Sequence, residues 1–123
     1  NKEIEYARYL VATMARAYGV DALDTPYTDM ENFKGLEEDT KFARSIGFTG
    51  RLAINPRQIE VIHQVFSPTE EEIVEAENIL LEAEEAERQG LGVFSYKGKM
   101  VDLPVIHRAE KTLEKAKKWG LRR

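Results

Sequence analysis

The sequence predicts an α/β fold in its first half and a helix-hairpin-helix extension in its second, and three observations carry that prediction. Through residues 2–66, apolar residues at helical steps of three and four alternate with short apolar runs bounded by Gly, Pro and Asp. From residue 68 a long acidic stretch keeps helical periodicity to about residue 89. Beyond it, Lys97-Gly98-Lys99 separates two β-prone runs, and Pro104 introduces a last amphipathic stretch. The chain has 123 residues and 42% apolar content, enough for an ordinary core.

Taken in order, residues 2–18 read as an amphipathic helix. Ile4, Ala7, Leu10, Val11, Met14, Ala17 and Tyr18 form its expected buried stripe, and Gly19 stops it. Residues 20–23 are a short strand candidate closed by the turn residues Asp24 to Asp29. A second helix is expected from residue 31 or 32 to 46, with Phe33, Leu36, Phe42, Ala43 and Ile46 toward the core, and Gly47 ends it. The run Leu52-Ala53-Ile54 is too short for a helix and reads as a buried strand. It stops at Asn55-Pro56, where Asn can cap a new helix and Pro suits its first position. Helix, strand, helix, strand, helix implies parallel strands joined by crossovers. Two strands alone cannot make a parallel sheet with both faces covered, so residues 1–66 look like the tail of a larger α/β barrel.

The second region, residues 67–123, opens on Ser67-Pro68-Thr69-Glu70, which has the form of a capping box with Pro at the first helical position. Ile73, Ala76, Ile79, Leu80, Ala83 and Ala86 make the stripe of the acidic helix, whose glutamates read as a solvated face. A hairpin over residues 93–101 and a final helix with Val105, Ile106, Ala109, Leu113 and Ala116 buried complete it.

Several function classes fall away on composition. The formal charge is −4 with no basic stripe, which argues against nucleic acid. There is no signal-like apolar region and no run near bilayer length, so no membrane partner is expected. Cysteine is absent, which removes thiol chemistry and fits a reducing, cytoplasmic setting. His63 and His107 lack a second ligand at helical spacing, and no metal site is expected within the chain. Asp24 and Asp29 read as turn and cap residues, and Asp102, two before Pro104, as a cap of the last helix.

The segment GFTGRLAINPRQI at 47–59 resembles the G-F-x-G-K-x-x-I-H-P-x-Q-I signature of the citrate lyase β-subunit-like family, which includes malyl-CoA and citramalyl-CoA lyases. FSPTEEEI at 66–73 is similar to that family's F-S-P-[ST]-x-x-E-I, and GKMVDLP at 98–104 to its G-x-M-[VI]-D-x-P. The resemblance covers nearly the whole chain but only the C-terminal part of the family's sequence. It implies the last strands and helices of a TIM-type barrel over 1–66 and a helical lid over 67–123 that closes on a neighbouring subunit, hence a homo-oligomer.

The chemistry it implies is retro-Claisen or retro-aldol cleavage of a 3-hydroxyacyl thioester to an acetyl- or propionyl-thioester and a 2-oxo acid, with Mg²⁺ chelating the oxo-acid part. The thioester is carried on CoA or an acyl-carrier protein. Asp102 falls on the family's acid/base, and desolvation under a closing lid would suit it to proton transfer. Ile54, Asn55, Pro56, Gln58 and Ile59 fall on the strand end that lines the CoA and substrate mouth, with Asp24 and Tyr27 at the preceding strand end. Asn55 replaces the family's His, so a capping role survives there while any imidazole contact does not. The family's Mg²⁺ ligands lie on earlier strands absent from this sequence, so the chain is expected to be an incomplete lyase. The rival expectation is a non-catalytic binding or assembly module built from the same helices.

Overall fold

A computed structural model describes residues 2–122, which fall into two compact units, one ending at Phe66 and the other beginning at Ser67. In the first unit a short 3-10 turn, Lys2–Ile4, leads into α1 (Glu5–Tyr18). Then follow β1 (Leu23–Asp24), α2 (Phe33–Ile46), β2 (Gly50–Arg51) and α3 (Arg57–Phe66). The strands are parallel, with Leu23 opposite Gly50 and Asp24 opposite Arg51, as expected for a β-α-β crossover. Gly19 and Gly47 end α1 and α2 in the left-handed conformation, each giving its N–H back to the last turn. Asn32 caps α2 by accepting the Gly35 N–H at 2.9 Å. Asn55 accepts the Arg57 N–H at 2.9 Å, the capping role its position before Pro56 predicts.

One face of the two-stranded sheet is covered. Ala22 joins Ala12, Leu36, Ala43, Phe48, Ile62 and Phe66 in the core, and Asp24 and Arg51 are buried with it. Leu23, on the opposite side of its strand, is 58% exposed. The expected strand over 20–23 begins later, at Leu23. The expected strand over 52–54 is also displaced: pairing is made by Gly50–Arg51, and Leu52, Ala53 and Ile54 lie beyond it, exposed. Their apolar character marks the uncovered end of the sheet, because no described strand extends beside them.

The face of α1 is a second correction. Arg8 and Ala12 are its buried residues, with Ala15 packed against the core. Leu10, Val11, Met14 and Tyr18 of the predicted stripe are exposed. Arg8 tolerates burial because two carboxylates meet its guanidinium, a partnership that apolar periodicity does not report.

The second unit is α4 (Glu70–Arg88), β3 (Phe94–Tyr96), β4 (Lys99–Val101) and α5 (Leu103–Lys118). The capping box forms two residues later than expected. Thr69 accepts the Glu72 N–H at 3.1 Å, and Glu72 accepts the Thr69 N–H at 2.8 Å. Thr69, not Ser67, is therefore the cap, and Pro68 precedes the helix. The hairpin turns through Lys97 and Gly98, both at positive φ (48° and 75°), the geometry of a two-residue primed turn. Ala76, Ile79, Val101 and Ala109 form the core, with Leu80, Phe94, Val105 and Leu113 packed on it. Arg122 ties the end of this unit to α4, pairing with Glu70 and reaching Glu77 at 3.0 Å.

Candidate functional site

Two places carry the sequence-predicted site residues: the strand ends of the first unit, and the hairpin-to-α5 junction of the second. At the strand ends, the loop after β1 and the loop after β2 are tied together side chain by side chain. Gln58 is 1% exposed, and its Oε1 accepts the Ile54 N–H at 3.0 Å. Its Nε2 donates to the Tyr27 carbonyl at 2.9 Å. Asn55 Nδ2 lies 3.8 Å from Met30 Sδ, and Arg57 pairs with Glu31 at 3.0 Å. Ile54 and Ile59 are exposed beside this seam, Pro56 is exposed, and Tyr27 and Asn55 are half-buried. Tyr27 is held from several sides: the Arg51 guanidinium lies 5.6 Å from its ring centre, and Asn32 donates to its hydroxyl at 3.4 Å. A methyl group at Gly35 would collide with that hydroxyl, so the close approach requires glycine.

Asp24 sits apart from these side chains. It is 2% exposed and faces the helix layer, with Oδ2 2.6 Å from Arg8 Nη2 and 3.7 Å from Arg51 Nη1. Its Oδ1 accepts the Thr25 N–H at 2.9 Å. Both oxygens thus have partners within the unit, and strand alternation sends Asp24 to the opposite face from Leu23. Asp39 completes the cluster, 3.1 Å from Arg8 and 2.7 Å from Arg51. Burial alone would raise the Asp39 carboxyl, but hydrogen bonds and charge from Arg51 and Arg8 outweigh it and hold it below the usual carboxylate range. Arg8, Asp39 and Arg51 were missed from the sequence.

Asp102 is half-buried and precedes Leu103, the first residue of α5. Its Oδ1 accepts the Val105 N–H at 3.4 Å, a long cap beside the 2.9 Å of Asn32. Its Oδ2 has no hydrogen-bond partner among the described residues. Of the two candidate aspartates, Asp102 keeps an uncommitted oxygen and Asp24 does not. Among the described residues no three His, Asp or Glu side chains converge as a cation site. No helix there is long and apolar enough to cross a membrane.

A parallel strand pair joined by a crossover helix, with one sheet face uncovered, places the first unit in the α/β class. A family model described as a C–C bond lyase of the TIM-barrel fold matches residues 6–121. The citrate lyase subunit beta of Haemophilus influenzae is 44% identical over 115 residues, which cover 94% of this chain and 40% of that protein. The mitochondrial citramalyl-CoA lyase of Homo sapiens is 35% identical over 111 residues, 90% of this chain and 33% of that one. Among solved structures, CitE from Mycobacterium tuberculosis in complex with magnesium, acetoacetate and coenzyme A superposes with a TM-score of 0.75 at 33% identity, covering 91% of this chain and 40% of that one. The chain belongs to the TIM-barrel C–C bond lyase family, and it spans about 40% of the length of the citrate lyase β subunits it matches.

Proposed function

We propose that this chain forms the C-terminal strand ends and the acid/base-bearing lid of a lyase that cleaves a 3-hydroxyacyl-CoA, such as citryl-, malyl- or citramalyl-CoA, to acetyl-CoA and a 2-oxo acid. The observation that carries this reading is the family match over residues 6–121, with citrate lyase β subunits and citramalyl-CoA lyases among its relatives. In the reaction, the 3-hydroxyl loses its proton and becomes the carbonyl of the 2-oxo acid. The electron pair of the breaking carbon–carbon bond passes to the thioester α-carbon, and the Asp102 carboxyl delivers a proton there. One proton leaves and one is delivered, so the cleavage balances. The uncommitted Asp102 Oδ2 supports that role. Tyr27, Ile54, Asn55, Pro56 and Ile59 border the thioester mouth, whereas Asp24 supports it from behind through Arg8 and Arg51.

Among the described residues no cluster fits a Mg²⁺ site, and the carboxylates of Asp24 and Asp39 are spent on arginines. We place the Mg²⁺ that the reaction uses on residues of earlier strands outside this sequence. The lid of residues 67–123 serves a neighbouring copy, so the working form is a cytoplasmic homo-oligomer, and the thioester carrier is CoA or an acyl-carrier protein. The test is turnover of the full-length protein on citramalyl- or malyl-CoA in D₂O. Acetyl-CoA bearing one deuterium at its methyl carbon is the expected product, and no thioester cleavage would overturn the reading in favour of a non-catalytic module.

A further inference from the structure

We infer that Gln58 is a positioning residue that clamps the two strand-end loops together and so sets the width of the thioester mouth, without touching substrate. The inference rests on the lyase reading for what enters the mouth, while the clamp itself stands on geometry. Gln58 is the largest neutral polar side chain fully buried in the first unit, at 1% exposure. Its amide is used at both ends: Oε1 takes the Ile54 N–H at 3.0 Å and Nε2 gives to the Tyr27 carbonyl at 2.9 Å. Each backbone partner fixes the amide's orientation, because an N–H must meet the oxygen and a carbonyl must meet the NH₂. One donor and one acceptor site of the amide are thus taken by backbone, and at 1% exposure the side chain offers a ligand almost no surface. What it joins are the two loops that follow β1 and β2, 31 residues apart in sequence at Tyr27 and Gln58.

The other ties across this seam, Asn55 to Met30 and Arg57 to Glu31, are exposed, so water competes for them. The Gln58 tie is the one made by a fully buried side chain, and both of its bonds are partly sheltered from water. The Tyr27 ring already packs against Arg51 and its hydroxyl takes a bond from Asn32, so the Gln58 bond adds a backbone tie to a residue held at its side chain.

The test pairs two variants of the full-length protein with two readouts: amide hydrogen exchange without ligand, and KM against kcat for citramalyl-CoA. In Gln58→Met both bonds go. Exchange should speed up at Ile54 and through residues 25–30, and KM should rise about tenfold, the worth of one good hydrogen bond, with kcat changed less. In Gln58→Glu the introduced side chain still accepts from Ile54, but it can donate to the Tyr27 carbonyl only when protonated. Ile54 should stay protected while residues 25–30 loosen, and the KM penalty relative to the unaltered protein should shrink as pH falls. A KM penalty with unchanged exchange would overturn the clamp, because Gln58 would then be meeting substrate directly. Faster exchange with unchanged KM would reduce it to a structural residue and also overturn the inference. If the unaltered protein cleaves no thioester, the lyase reading fails, and exchange alone decides whether the clamp exists.

Discussion

The first unit buries charged side chains, and the second, among its described residues, does not. In the first, Arg8, Asp24, Asp39 and Arg51 are turned inward between sheet and helices, while Leu10, Val11, Met14 and Leu23 face outward. In the second, Ala76, Ile79, Val101 and Ala109 are buried, and the ion pairs of Arg122 with Glu70 and Glu77 lie at the surface. The second unit has the distribution of a self-contained helical hairpin. The first has that of a slice of an α/β barrel: a parallel sheet needs cover on both faces, and the face bearing Leu23 has none among the described residues. The buried charges also explain why the strand ends hold their shape. Arg51 joins Asp39 to the Tyr27 ring, so the cluster braces the loop after β1.

The largest expected effect comes from breaking that buried cluster. Arg51→Met takes away the closest partner of the Asp39 carboxylate and leaves Arg8 shared between Asp24 and Asp39, which should cost up to about 3 kcal/mol, below the full penalty for stranding a buried charge. The shift in denaturant midpoint measures it. The same cluster makes the first unit sensitive to acid. Asp39 is held below its usual value when folded, so its contribution is present above the unfolded carboxylate value of about 3.9 and is lost as pH falls through the lower folded one. Unfolding midpoints should therefore drop on going below about pH 4, and Asp39→Asn should flatten that drop.

A smaller effect is expected in the second unit, where stability rests on apolar packing and caps. Thr69→Ala removes the acceptor of the Glu72 N–H and should cost about 1 kcal/mol. A loss from Thr69→Ala equal to that from Arg51→Met would erase the contrast between the units.

The second unit was the more legible in sequence for the same reason. Its stripe residues Ile73, Ala76, Ile79 and Ala86 are buried where periodicity placed them, because its two helices and hairpin cover one another. Only the cap moved, from Ser67 to Thr69, since two overlapping S/T-x-x-E patterns compete there and the helix takes the later one. In the first unit periodicity found α1 and chose the wrong side. Apolar spacing reports that a face is meant to be covered, not which element covers it, and Ala12 with a paired Arg8 makes the face that packs within this chain. Asp102 and the strand-end residues were legible only through motif resemblance. For Asp24 the motif gives a position on a strand but not the face its side chain takes. Gln58 was legible as a motif residue, while its two backbone partners were not, since a contact across 31 residues leaves no local pattern.

The proton-donor role of Asp102 is tested most directly by turnover and unfolding midpoint measured together on Asp102→Asn and Asp102→Ala in the full-length protein. Asn can cap a helix as well as Asp but cannot transfer the proton. Turnover of Asp102→Asn should fall by roughly 10²–10⁴-fold with the midpoint unmoved, and Asp102→Ala should lose the same activity plus up to about 1 kcal/mol of stability. Normal turnover in Asp102→Asn, with only Asp102→Ala destabilised, would make Asp102 a helix cap and contradict the catalytic assignment.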